Sequence, residues 1–213
     1  MGKLGLVLEN YKTIDAKIKK SISKEIDIYL SKSVKKVILP IKKIVKKSIL
    51  NQPEVSSLEN GQLAAEFGLR DGKNRIENII DIWLNGIKVS TKKSNLKSGK
   101  ISAGFSISMI RRDFRDVLSS GFGSIRTKSG QELPWLEWLL RFGDIVIIRD
   151  YDVDFQLNTN SRSGKAVMIQ GKGKKWRVPP QFSGTESNNF VTRALDDAEN
   201  DIINAFKSEL RSM

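Results

Sequence analysis

Ile101-Ser102-Ala103-Gly104-Phe105-Ser106-Ile107-Ser108-Met109 alternates apolar and small or polar side chains for nine residues. A period of two puts one set on each face of a pleated strand, so this stretch reads as a half-buried β-strand. A second alternation runs from Asp150 to Leu157, with Tyr151, Val153, Phe155 and Leu157 between Asp150, Asp152, Asp154 and Gln156. Helical patterns flank this strand region. Residues 4–51 carry Ile14, Ile18, Ile22, Ile26 and Leu30, then Ile38, Ile41, Val45 and Ile49, with lysines between them. That is a basic amphipathic helix, which Pro40 is expected to kink or split because proline lacks an N–H and crowds the preceding turn. Residues 188–211 form a closing helix with Val191, Leu195, Ala198, Ile202, Phe206 and Leu210 on one face and Ser187 or Asn188 as the cap.

Between these, residues 53–69 read as one helix opened by Pro53 and stopped by Gly68. The run Ile79 to Val89 fits either helix or strand, and its Ile, Trp and Val content favours strand. Residues 91–100 and 119–130 read as loops, Pro134 to Phe142 as a short helix, and Gly171-Lys172-Gly173-Lys174 as the turn of a hairpin. Strands grouped between helices predict an α+β fold: a long N-terminal helical arm (1–52) and a body (53–213) with a small, mostly antiparallel sheet carrying the C-terminal helix.

Composition narrows the chemistry. The 213 residues include neither cysteine nor histidine. Thiol nucleophiles, disulfides, imidazole bases and His-containing triads are therefore excluded. No run approaches the roughly 20 apolar residues of a membrane span, and the apolar run at the N-terminus is too short for a signal peptide. The expected partners exclude membrane, and no cofactor is expected. Net charge is +13, distributed in alternating blocks. Residues 1–50, 88–130 and 161–180 are basic, and the stretches between and after them are acidic. Such a chain offers positive surface to a polyanion and complementary patches to copies of itself.

Site candidates follow. Arg111, Arg112 and Arg115, with Lys92, Lys93, Lys97 and Lys100, either line a DNA-facing surface or pair with the acidic blocks. Arg162, Lys165, Lys172 and Lys174 of the 161–180 block are further candidates for such a DNA-facing surface. Asp150, Asp152 and Asp154 resemble the start of a calcium loop. The glycine and glutamate such a loop requires are replaced by Phe155 and Ser161, so a solvated or subunit-facing acidic stripe fits better. Trp135, Trp138, Trp176 and Phe182 suit core or interface packing better than base stacking. No catalytic or metal site is expected.

Leu133-Pro-Trp-Leu-Glu-Trp-Leu-Leu-Arg-Phe-Gly-Asp144, Ser161-Arg-Ser-Gly-Lys-Ala-Val-Met-Ile169, Trp176-Arg-Val-Pro-Pro-Gln-Phe-Ser-Gly-Thr185 and Asn189-Phe-Val-Thr-Arg-Ala-Leu195 together resemble virion structural proteins of tailed bacteriophages, of the minor tail, tail-completion or neck type. The resemblance covers roughly residues 75–200. It implies a non-enzymatic subunit of a homo-oligomeric ring, commonly a hexamer, that joins other neck or tail proteins and through which DNA passes. It implies a virion protein, assembled in the host cytoplasm. On this reading Trp135, Trp138, Asp150, Asp152, Asp154 and Phe182 are interface candidates, and DNA contact is transient and sequence-independent. A stand-alone DNA-binding protein or a metal-dependent nuclease is the competing expectation.

Overall fold

A computed structural model describes residues 11–97, 100–108, 114–127, 130–155, 161 and 163–212. The chain is α+β. Helix α1 (Tyr11–Leu50) leads through α2 (Pro53–Asn60), α3 (Gln62–Glu66) and α4 (Gly72–Gly86) to strands β1 (Lys88–Lys97) and β2 (Lys100–Ser108). Then come α5 (Arg115–Leu118), β3 (Ile125–Arg126), β4 (Glu132–Leu133), α6 (Trp135–Arg141), β5 (Ile148–Asp154), β6 (Val167–Trp176) and α7 (Phe190–Arg211). The strands form three antiparallel pairs, β1–β2, β3–β4 and β5–β6.

Helix α1 is one helix from Tyr11 to Leu50 and is not split at Pro40, a split being one of the two outcomes expected there. Pro40 lies on the exposed side, as does Lys36, whose carbonyl loses its helical donor. On an exposed side, water can take the place of the missing donor, which is why a proline is tolerated at such a position. Val37, Ile41, Val45 and Ile49 on the opposite side are buried in the same core as α4, α6 and α7. The later part of the expected arm therefore packs as part of the body.

Residues 79–86 are helical, which corrects the strand expected there. Ile76, Ile79, Ile80, Trp83 and Leu84 follow the i, i+3, i+4, i+7, i+8 pattern, and all five are buried. Core packing at that period outweighs the β-preference of the individual residues. The expected helix over 53–69 is two helices, broken at Gly61. A Cβ there would lie 2.8 Å from the Ser57 backbone. Residues 91–97 belong to β1 and not to a loop. Tertiary contact supplies what their polar composition hides: Asp27 of α1 accepts from the Ser94 N–H at 2.7 Å, and the Ser94 hydroxyl donates to the Ser23 carbonyl.

Gly171 to Lys174 do not turn a hairpin. They sit inside β6, where Arg149 pairs with Lys175 and Tyr151 with Gln170. The surplus residues bulge out opposite Asp150. Gly173 takes a positive φ of 78°, and its N–H donates to the Asp150 carboxylate at 2.9 Å. Asp150 itself adopts φ 60°, a strained conformation for a residue with a Cβ.

The cap of α7 is Asn189, one residue beyond the two expected. Its side chain accepts from the Val191 and Thr192 N–H groups, and the Thr192 hydroxyl accepts from the Asn189 N–H. The same amide donates to the carbonyls of Leu140 in α6 and Thr185. Asn189 thus caps one helix and ties it to another. Asn189→Ala should destabilise the fold by about 2–3 kcal/mol, combining a lost cap with carbonyls left unpaired in the core. Ser187→Ala, on the exposed turn, should change stability by less than about 0.5 kcal/mol. Urea denaturation of both variants checks this, and equal effects would place the cap elsewhere.

Candidate functional site

Among the described residues, the expected DNA-facing side chains sit on different elements. Arg111, Arg112 and Arg162 lie outside the described residues. Arg115 opens α5, which packs against α4, whereas Lys172 and Lys174 lie on β6. Lys174 approaches Asp152 at 3.4 Å, and Lys165 donates to the Asn60 side chain at 2.7 Å. Part of that positive charge is thus engaged within the chain.

The expected interface residues divide as well. Trp135 and Trp138 are core residues, so of the two roles held open they take packing. Trp138 meets Trp176 edge-on with ring centroids 5.6 Å apart, and Phe67 lies within about 6 Å of Trp135, Trp138 and Trp176 alike. Phe182 is half-buried against the same core. Asp150, Asp152 and Asp154 do not form one clean stripe, because the bulge takes Asp150 out of register and binds its carboxylate to Gly173. Among the described residues no three His, Cys, Asp or Glu side chains converge as metal ligands.

One cleft stands beside this aromatic cluster. It has a volume of about 630 Å³ between α3, α6 and the β5–β6 ribbon, and Glu66, Phe67, Trp135, Trp138, Tyr151 and Trp176 line it. Glu66 was not singled out by sequence reasoning. Burial pushes its carboxyl above the ordinary carboxylate range, while hydrogen bonds from Gln62 and Trp176 pull it back. Gln62 Nε2 donates to one oxygen at 2.7 Å and Trp176 Nε1 to the other at 3.1 Å. Both oxygens are held, so the carboxylate orients Trp176 and closes the cleft floor. The only sequence signal was the i, i+4 spacing of Gln62 and Glu66.

A second feature is the surface of α1. Of its twelve lysines, Lys19, Lys36 and Lys46 have a carboxylate within 4 Å among the described residues, on Asp15, Glu209 and Asp81. The other nine have none among the described residues. The N-terminal half also exposes apolar side chains: Ile14 is 37% exposed, Ile18 54%, Ile22 45% and Ile28 41%. A strict step of four advances about 40° beyond a full turn of an α-helix. The isoleucine stripe therefore winds round the helix: Ile14, Ile18 and Ile22 are exposed and Leu30 is buried, while Ser23 and Asp27 on another side of this half bond Ser94 of β1. No helix among the described residues is long and apolar enough to cross a membrane.

No family model, curated protein or solved structure matches this chain.

Glu66 generates a pH-dependent term. Its folded-state proton affinity is raised, so its contribution to stability is full below the unfolded carboxylate range and is lost as pH rises through the raised value. Glu66→Gln keeps an acceptor for Trp176 and removes the titration. The stability of Glu66→Gln relative to the parent should therefore increase as pH rises from the ordinary carboxylate range through the raised value, then level off. Paired urea titrations across that window check it, and a difference that shrinks with rising pH would contradict the assignment.

Proposed function

We propose that the chain is a structural subunit of a phage neck or tail-end ring, of the tail-completion or head–tail connector type, through which DNA passes. The observation that carries this reading is the segregation of charge. Nine lysines of one long helix have no carboxylate partner among the described residues. Asp196, Asp197, Glu199 and Asp201 are exposed together on α7. A ring of head-to-tail contacts needs two different, complementary surfaces on each copy, and a lumen that passes DNA needs positive charge without base readout.

The stretches that carry the resemblance support the reading in a second way. Residues 133–144, 176–185 and 189–195 interlock. Gly143 N–H donates to the Gly184 carbonyl at 2.8 Å, Arg177 pairs with Asp144 at 2.7 Å, and Asn189 reaches the Leu140 carbonyl. A Cβ on Gly184 would lie 2.5 Å from the Leu139 carbonyl oxygen. These residues do architectural work, which suits a structural protein better than a catalytic one.

The competing reading, a stand-alone DNA-binding protein or metal-dependent nuclease, shares the lysines but not the ring. Sedimentation velocity beside a salt titration of DNA binding separates the two. The ring subunit should form a discrete oligomer and bind duplexes of unrelated sequence equally. The logarithm of its affinity should fall linearly with the logarithm of salt concentration. Replacing Lys35, Lys42, Lys43 and Lys47 by Gln should flatten the slope by about 0.9 for each phosphate that is no longer neutralised. A monomer that binds DNA, sequence-selective binding, or metal-dependent cleavage abolished in Asp152→Ala would overturn the proposal.

A further inference from the structure

Within one chain, α1 and α7 pack antiparallel. The Ser48 hydroxyl donates to the Ala194 carbonyl at 2.7 Å near the start of α7. Lys36 meets Glu209 at 3.2 Å, and the Tyr29 hydroxyl donates to the Leu210 carbonyl at 3.0 Å near its end. Helix α7 finishes at Arg211, so residues 11–28 of α1 run past it. Along that overrun Ile14, Ile18, Ile22 and Ile28 are exposed, and neither Lys17 nor Lys24 has a carboxylate partner among the described residues.

The outer side of α7 has the opposite character. Ala194, Ala198, Ile202 and Phe206 face the core. Ile203 is 40% exposed and Leu210 38%. Asp196 and Glu199 stand seven and four residues before Ile203, so helical geometry puts all three on one side. Among the described residues neither carboxylate has a cation within 4 Å. The two surfaces match in kind: isoleucines with lysines on one, isoleucine and leucine with carboxylates on the other. They also match in length, since residues 11–28 rise about 27 Å and the 22 residues of α7 about 33 Å.

One chain cannot bring them together. Asp196 lies beside the Ser48 end of α1, and residues 17–24 lie about 25 to 30 residues away along a continuous helix, roughly 40 Å. We propose that the N-terminal half of α1 in one copy packs on the outer face of α7 in the next copy. Each α7 is then held between its own α1 and a neighbour's. The contact is heterologous, so it closes into a ring if the rotation between copies permits. It rests on the ring reading above and names the surfaces that form the ring.

Charge swaps test it in the full chain by sedimentation velocity at low salt. Lys17→Glu with Lys24→Glu should weaken self-association by at least about tenfold, as should Asp196→Lys with Glu199→Lys, because each sets like charges against each other. Mixing the two double variants should restore association, because each offers the surface that the other lacks. All four substitutions in one chain should also restore it, which rules out misfolding as the cause of the weakening. An oligomer indifferent to the swaps, or weakening that neither the mixture nor the fourfold variant repairs, would overturn the α1–α7 contact and leave the ring itself standing. A parent protein that stays monomeric at high concentration would overturn both.

Discussion

A single helix longer than anything it packs against sets the form of this protein. Forty residues of α1 extend about 60 Å, whereas the 22 residues of α7, its main partner, extend about 33 Å. One end of α1 must be built into the core and the other must leave it. The isoleucine stripe follows that division. Val37, Ile41, Val45 and Ile49 are buried, and Ile14, Ile18 and Ile22 are not. Exposed isoleucines at helical spacing are costly to leave in water, and lysines alone do not offset that cost. The contact proposed between α1 of one copy and α7 of the next would cover these exposed isoleucines.

The rest of the body keeps α7 in place. Asn189 ties its first turn to α6, and Arg193 one turn later pairs with the fully buried carboxylate of Glu54 in α2. Glu54 is buried while the Arg193 side chain is 37% exposed, so removing Arg193 would strand a buried carboxylate, and solvent at the guanidinium makes the pair weaker than a fully buried one. Phe105 of β2 stacks on Phe206 near the other end at 4.1 Å, so the β1–β2 ribbon is fixed to the same helix. Arg75 of α4 donates to the carbonyls of Phe122 and Ser124, holding the segment before α6. These contacts orient α7 with one face inward and its carboxylates outward.

Sequence period was informative wherever one residue set faced the core. The strand at 101–108, the helix at 135–141 and the closing helix are all present. It misled where composition competed with period. Ile79 to Gly86 has the residues of a strand and the spacing of a helix, and packing followed the spacing. Gly171 to Lys174 has the composition of a turn, yet it bulges because Asp150 offers an acceptor to Gly173 across the ribbon. Polar residues 91–97 became strand through contacts with Ser23 and Asp27, some seventy positions away in the chain. The site was harder to read than the fold. Trp135 and Trp138 were equally suited to core and interface by type, and only burial separates the two roles. Glu66 had no signature beyond its spacing from Gln62, because its character comes from Trp176, distant in sequence.

Helix α1 is continuous and has two environments, one inside the core and one outside it. Amide hydrogen exchange resolved along residues 11–50 tests this most directly. In dilute monomer, residues 37–49 should exchange as slowly as residues 190–206, and residues 11–22 much faster. At concentrations where copies associate, residues 11–28 should slow while 37–49 stay unchanged. Uniform protection along α1 in the monomer, or fast exchange beginning at Pro40 and extending to Ile49, would contradict the account.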